Sequence, residues 1–328
     1  MGMERSGMST SDVQAVVAMI DAETAAIIKQ EPEETKKLRE GRLDDKAGAY
    51  GQYFGTWDIA AGMLRDCSMY ALYPLLRLAR QKRSDLNIAV MADEMLPPYT
   101  NYLGYSGFPT LERLGDAMRP VLREATPDET DALLSAYLRY ANRLYCWVYH
   151  YFPWNLGEHY RYPDDAEARA AAAQAVRDAA AIVDGFTPSD TFIKLTWQPL
   201  GVSVRAWLAV DQNPELCRDL LEALPFTVLQ EHPMVTGESM FAWTPLTTTA
   251  PVHVTEEIRF APIGRLRFSQ RTGQKLVVQY GATKETIRAP LLGGVVAEDR
   301  AKLPAVGRAV WDATYASKDL IWLTVERA

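Results

Sequence analysis

The sequence predicts an α+β chain in which an N-terminal all-helical bundle is followed by a closed antiparallel β-barrel that carries two helices. Apolar residues recur at helical spacing as far as residue 185, the period of a helix face packed on a core. From Thr191 onward they alternate instead, the period of strands. The chain has 328 residues, more than the ~250 to 300 at which a single core stops growing. Residues 1–186 are therefore expected to form the helical domain and 187–328 the barrel.

The helical half opens with Val13, Val16, Val17, Ile20, Ile27 and Ile28 on one stripe. Glu31 to Lys46 is charged and poor in apolar residues, which predicts a solvated connection or a frayed helix rather than core. Asp58 to Arg83 is rich in Leu, Met, Ala and Tyr and predicts a helix that Pro74 kinks or splits. Met95 to Pro109 mixes Pro, Gly and Asn with four aromatic residues and predicts an irregular loop, a candidate pocket wall. Thr126, Pro127 and Glu129 form a strong helix start, and Leu133, Leu134, Tyr137, Leu138, Ala141, Leu144 and Tyr145 continue it on one face. An aromatic run from Tyr145 to Pro163 comes next, and a further helix is expected from Asp164 to Val183, stopped by Gly185.

In the second half, Ile193, Leu195 and Trp197 make one strand and Val202 to Leu208 a second, joined by a turn at Pro199 and Gly201. Asn213 and Pro214 start a short helix that Pro225 closes. Further strands are expected at Phe226–Glu231, Glu238–Trp243, His253–Arg259, Gly264–Phe268, Lys275–Tyr280 and Leu320–Glu326, with a helix over Lys302–Tyr315 before the last. Eight antiparallel strands commonly close into a barrel, which removes the exposed edges. Gly293 and Gly294 read as a turn.

Composition narrows the function classes. The chain is 48% hydrophobic and 23% charged, which suits an ordinary globular protein, and its net charge of −7 offers no general attraction to nucleic acid. Three scattered cysteines form no CxxC pair, so neither a disulfide framework nor a cysteine zinc site is indicated and a reducing, cytoplasmic setting is expected. No apolar stretch approaches the ~18 residues of a membrane span. The aromatic load of eight tryptophans and sixteen tyrosines suits domain docking or a homodimer.

No phosphate-binding, nucleophile-elbow or metalloprotease motif occurs, so any chemistry must rest on scattered residues. Glu231 and His232 stand at a strand end just before Pro233 and are the candidate catalytic acid and base. Neighbours on a strand face opposite ways, so one of the two should face a pocket unless the turn lets both converge. Arg265 and Arg267 share one strand face and could hold a carboxylate; the bland reading is a solvated edge strand protected by charge. His159, Tyr160 and Trp154 could line a binding pocket. His150 and His159 lack a third metal ligand at useful spacing, so no metal is expected.

The tail VVAEDRAKLPAVGRAVWDATYASKDLIWLTVERA and the segment NPELCRDLLEALPF resemble a family of small bacterial cyclophilin-like barrels over Thr191 to Ala328. Among two-domain proteins that pair such a barrel with a helical bundle, the chain looks most like the cucumopine and mikimopine synthases. The resemblance implies a Pictet-Spengler condensation of histidine, or a similar amino acid, with a 2-oxo acid, without a cofactor. The expected partner is thus a small carboxylated, nitrogen-containing substrate at the junction of bundle and barrel. Related barrels also occur in cyclic-amide metabolism. Hydrolysis or isomerisation of a cyclic amide is therefore one alternative, and a non-catalytic peptide or metabolite binding module is the other.

Overall fold

The computed structural model describes residues 10–40, 42, 57–151, 166–167, 170–171, 173–174, 178, 181–182, 184–234, 236–283 and 285–328. The chain divides into two compact units, Met1–Phe152 with Arg271–Gly273 and Pro153–Gln270 with Gln274–Ala328.

The first unit is helical. Its described elements are α1 (Thr10–Ala26), α2 (Glu33–Arg39), α3 (Trp57–Asp66), a π-helical segment Cys67–Leu72, α4 (Tyr73–Ala79), α5 (Ile88–Met95), α6 (Pro97–Tyr105), α7 (Pro109–Leu122) and α8 (Pro127–Tyr151). Helix α8 is the spine, with Leu133, Leu134, Tyr137, Leu138, Ala141 and Leu144 buried on the expected stripe. Its start is a reciprocal cap: the Glu129 amide donates to Thr126 Oγ1 at 3.3 Å while Glu129 Oε2 accepts the Thr126 amide at 2.8 Å. Near its other end, Arg143 Nε and Trp147 Nε1 donate to the Ile27 carbonyl at 3.2 and 2.6 Å, satisfying an acceptor just past the end of α1.

Three expectations for this unit are corrected. Met95 to Pro109 is mostly helix rather than irregular loop, because Pro97 and Pro98 occupy the first turn of α6, where a missing N–H costs nothing. Glu31 to Lys46 contains the helix α2, one of the two expected forms, but α2 buries Thr35 and Leu38 and so contributes to the core. The break expected at Pro74 is carried by the π-helical segment before it, with the proline in the first turn of α4. The helix expected at Asp164 to Val183 falls largely outside the described residues.

The second unit is an antiparallel barrel built from β1 (Phe192–Gln198), β2 (Val202–Leu208), β3 (Phe226–Leu229), β4 (Gly237–Trp243), β5 (Thr255–Glu257), β6 (Arg265–Ser269), β7 (Lys275–Thr283), β8 (Arg288–Val295) and β9 (Trp322–Arg327). Helix α9 (Pro214–Ala223) precedes β3, and α10 (Leu303–Asp312), extended by π-helical Ala313–Ser317, precedes β9. The strands run in the order β3-β9-β1-β2-β8-β6-β7-β4, with β5 on the side of β8. A bridge between Glu231 and Phe241 joins the two end strands, so an eight-strand barrel is nearly closed.

Alternation sorts the side chains. Ile193, Leu195, Trp197, Val204, Ala206, Leu208, Met240, Ala242, Leu266, Phe268, Leu276, Val278 and Tyr280 form one apolar core with Leu216 and Leu220 of α9 and Val306 and Val310 of α10. Their sequence neighbours leave the barrel on its outer side.

The strand β8 was not among those expected, because Gly293 and Gly294 read as a turn. Both lie inside it: a Cβ on Gly293 would sit 1.9 Å from the Trp207 carbonyl oxygen. The glycine is there because β2 and β8 approach too closely for any side chain, not because the chain reverses.

Candidate active site

The bridge that closes the barrel also fixes the orientation of Glu231. Its amide and carbonyl exchange hydrogen bonds with Phe241, both at 2.8 Å, so the two side chains leave the sheet on the same side. That side continues in register: Phe241 stands opposite Val277 of β7, and Val277 opposite Arg267 of β6. Glu231 and Arg267 thus share the outer face, three strand spacings or about 14 Å apart. Phe241 and Val277 lie between them and Trp243 beside Phe241. The Phe241 and Trp243 rings meet edge to face at 4.9 Å, and Lys275 Nζ rests over both, 4.4 and 4.3 Å from their centroids.

His232, one residue on, turns the other way. Its Nδ1 lies 2.8 Å from the Pro233 carbonyl, which can only accept, so that nitrogen carries the proton. Nε2 then presents its lone pair to the Tyr280 hydroxyl at 2.8 Å. Tyr280 belongs to the barrel core, and a Cβ on Gly307 of α10 would overlap its ring at 2.3 Å. Burial pulls His232 down to about 4, partly countered by the Pro233 carbonyl, so the ring is neutral at physiological pH. The two candidate residues do not converge. Glu231 is the one on the outer face.

The end of α10 ties them together. Thr314 Oγ1 accepts the His232 amide at 3.1 Å and lies 3.2 Å from Glu231 Oε2, while the Tyr315 hydroxyl donates to the His232 carbonyl at 2.7 Å. Lys318 follows with a left-handed φ of 63° and bonds the Thr314 carbonyl. Burial lowers its amine to about 8 against the opposing pull of Glu231. Nothing in the sequence singles out Thr314 or Lys318, since their place beside Glu231 depends on how α10 meets the barrel.

The two arginines part company. Arg265 is fully buried, and its guanidinium is occupied by the chain's own carboxylates, Asp184 Oδ1 at 2.6 Å and Glu256 Oε2 at 2.7 Å. Asp184 is shared with Arg300 at 3.2 Å. Arg267 is 2% exposed, donates from Nη1 to Gln279 Oε1 at 2.8 Å, and among the described residues has no partner for Nη2. Desolvation lowers it to about 10, which leaves it charged at neutral pH. The reading of these arginines as a solvated edge is corrected, because β6 lies between β8 and β7 in the sheet.

Trp154, His159 and Tyr160 lie outside the described residues. His150 is buried on α8, and among the described residues no group of three or more His, Cys, Asp or Glu could hold a metal ion. None of the described helices is long and apolar enough to cross a membrane.

Residues 13–151 match the family model described as the cucumopine synthase C-terminal helical bundle domain. The match falls on the bundle, whereas the resemblance visible in the sequence lay in the barrel. The description places such a bundle at a C-terminus, and here it comes first. Two solved structures are similar. McbB in complex with tryptophan is 33% identical over 41% of this chain and 44% of that one, with a TM-score of 0.38. The solution structure of a hypothetical protein from Archaeoglobus fulgidus is 14% identical over 44% of this chain and 100% of that one, with a TM-score of 0.31. The chain therefore spans less than half the length of the McbB structure. No curated protein matches it.

Proposed function

We propose that the chain is a cofactor-independent enzyme of the opine synthase type, which condenses an amino acid with a 2-oxo acid by Pictet-Spengler chemistry. The observation that carries this reading is the outer face of β4, β7 and β6. A carboxylate stands at one end, a buried guanidinium with a spare N–H at the other, and an aromatic and aliphatic floor lies between them. The bundle match supports it.

The amine adds to the oxo carbon and water leaves, giving an iminium. The aromatic ring of the amino acid then attacks that carbon, and loss of a ring proton restores aromaticity. Arg267 Nη2 binds a substrate carboxylate through a charge-assisted bond. Phe241 and Val277 support the ring, and Glu231 removes the proton, a general-base role that contributes ~10² to 10⁴ in rate. His232 serves as a positioning residue: its neutral ring, locked between Pro233 and Tyr280, fixes the strand end from which Glu231 projects. Arg265 anchors Asp184 and Glu256 and does not bind substrate.

The test is a mass-spectrometric screen of the purified chain with histidine or tryptophan plus 2-oxoglutarate, beside other oxo acids and a set of cyclic amides. A product equal to the two substrates minus one water supports the reading. Consumption of a cyclic amide alone replaces it with hydrolase or isomerase chemistry, and no turnover across the set replaces it with a binding role.

A further inference from the structure

Among the buried polar atoms that have no hydrogen-bond partner among the described residues are two on the outer face of β6 and β4. One is Nη2 of Arg267, 2% exposed, and the other is Oγ of Ser239, 1% exposed. Buried donors of this kind are few in a folded protein, and each has a cause. Their placement supplies one. Ser239 stands directly opposite Gln279 in the β4–β7 ladder, so the two side chains share the outer face.

Gln279 is locked. Its Nε2 donates to the Ala261 and Gly281 carbonyls at 2.9 and 3.0 Å, which leaves Oε1 to hold Arg267 Nη1 at 2.8 Å. One immobilised amide thus draws the guanidinium of β6 across β7, toward the strand that carries Ser239. Arg267 and Ser239 are both neighbours of Gln279, one bonded to its Oε1 and the other opposite it in the ladder.

We propose that Ser239 and Arg267 form a carboxylate-binding subsite, in which Arg267 Nη2 donates to one oxygen of a substrate carboxylate and Ser239 Oγ to the other, with Gln279 as the positioning residue. The inference rests on the reading of Arg267 given above and adds the second donor and the ligand geometry. A hydroxyl and a guanidinium N–H both donate, so the pair selects an acceptor with two adjacent oxygens. An amide carries no charge for Arg267 to pair with; its NH₂ can donate to Ser239 Oγ but not to the guanidinium, so it forgoes the charge-assisted bond that a carboxylate makes. Phe241 and Val277 next to the pair fit an aryl or imidazolyl group on the carbon that bears the carboxylate.

Calorimetric titration of the full chain near neutral pH with phenylacetate and, separately, phenylacetamide tests this. The acid is expected to bind about tenfold or more tighter than the amide. Ser239→Ala should weaken the acid about five- to tenfold and the amide less, because a hydroxyl bonds a carboxylate more strongly than a neutral amide, so the discrimination narrows. This substitution removes one oxygen atom from a serine that holds nothing else, so the fold should persist, and circular dichroism with an unchanged melting profile checks that. Equal affinity for acid and amide, no binding of either at millimolar concentration, or the same discrimination in Ser239→Ala as in the parent chain overturns the proposal. The titration is independent of turnover. A chain that condenses nothing but shows the narrowed discrimination keeps the subsite and loses the reaction, and a chain that condenses substrates without it does the reverse.

Discussion

His232 should make the barrel acid-labile in a defined window. Burial lowers its pKa from the ordinary 6.5 to about 4 in the folded chain, so the folded state takes up its proton less readily than the unfolded state. The stability linked to this histidine is therefore fully present above about pH 6.5 and is lost as pH falls toward about 4. At about 1.4 kcal/mol per unit, the loss is at most about 3 kcal/mol. The structural origin is burial, partly offset by the Nδ1–H bond to the Pro233 carbonyl; the Tyr280 hydroxyl, which donates to Nε2, favours the neutral ring. Tyr280→Phe keeps the aromatic ring and removes the donor, leaving Nε2 a buried acceptor without its partner. That should cost about 1 to 3 kcal/mol at neutral pH and shrink the acid-dependent loss, because a free lone pair is more easily protonated. Urea unfolding of parent and variant at a series of pH values, followed by tryptophan fluorescence, measures both effects. Parallel stability curves for the two chains between pH 6.5 and 4 would refute the reasoning.

Two further substitutions probe the frame around the site. Arg265→Met removes the guanidinium from Glu256 and leaves Asp184 with Arg300 alone, and removing one member of a buried ion pair should cost about 3 to 5 kcal/mol; urea unfolding at neutral pH measures this, and a loss below 1 kcal/mol would contradict the anchoring role. Gly293→Ala places a methyl group against the Trp207 carbonyl and should destabilise the barrel by about 3 kcal/mol, since backbone on both sides must shift, an effect visible as a lower melting temperature in calorimetry.

Local signals carried much of the fold. The α8 start was legible because Thr126, Pro127 and Glu129 cap a helix wherever they occur together, and β1 and β2 because apolar and polar residues alternate along them. The errors share one origin: Pro and Gly punctuate a sequence in more than one way. Pro97 and Pro98 read as loop but open a helix, and Gly293 read as a turn but permits a close approach of two strands. Tertiary placement decides between those meanings.

The candidate site divides in the same manner. That Glu231 and His232 face opposite ways is one of the two outcomes the sequence left open, since a turn at Pro233 could have let them converge, whereas the shared face of Arg265 and Arg267 was expected. Which arginine keeps a spare donor was not legible, because it depends on Asp184 lying 81 residues from Arg265 and on Gln279 lying 12 from Arg267. Ser239, Thr314 and Lys318 join the site only through sheet register and the packing of α10. The bundle, read from sequence as plain helix, is where the family match lies.

The most direct test of the central claim is the initial rate of condensed product, measured by mass spectrometry, for the parent chain and for Glu231→Gln, using whichever amino acid and oxo acid pair the screen identifies. The glutamine preserves the Phe241 bridge and the contact to Thr314 while removing the base. The expected result is a fall of at least about 100-fold in kcat with KM little changed. A Glu231→Gln chain that forms product at the parent rate would contradict the account.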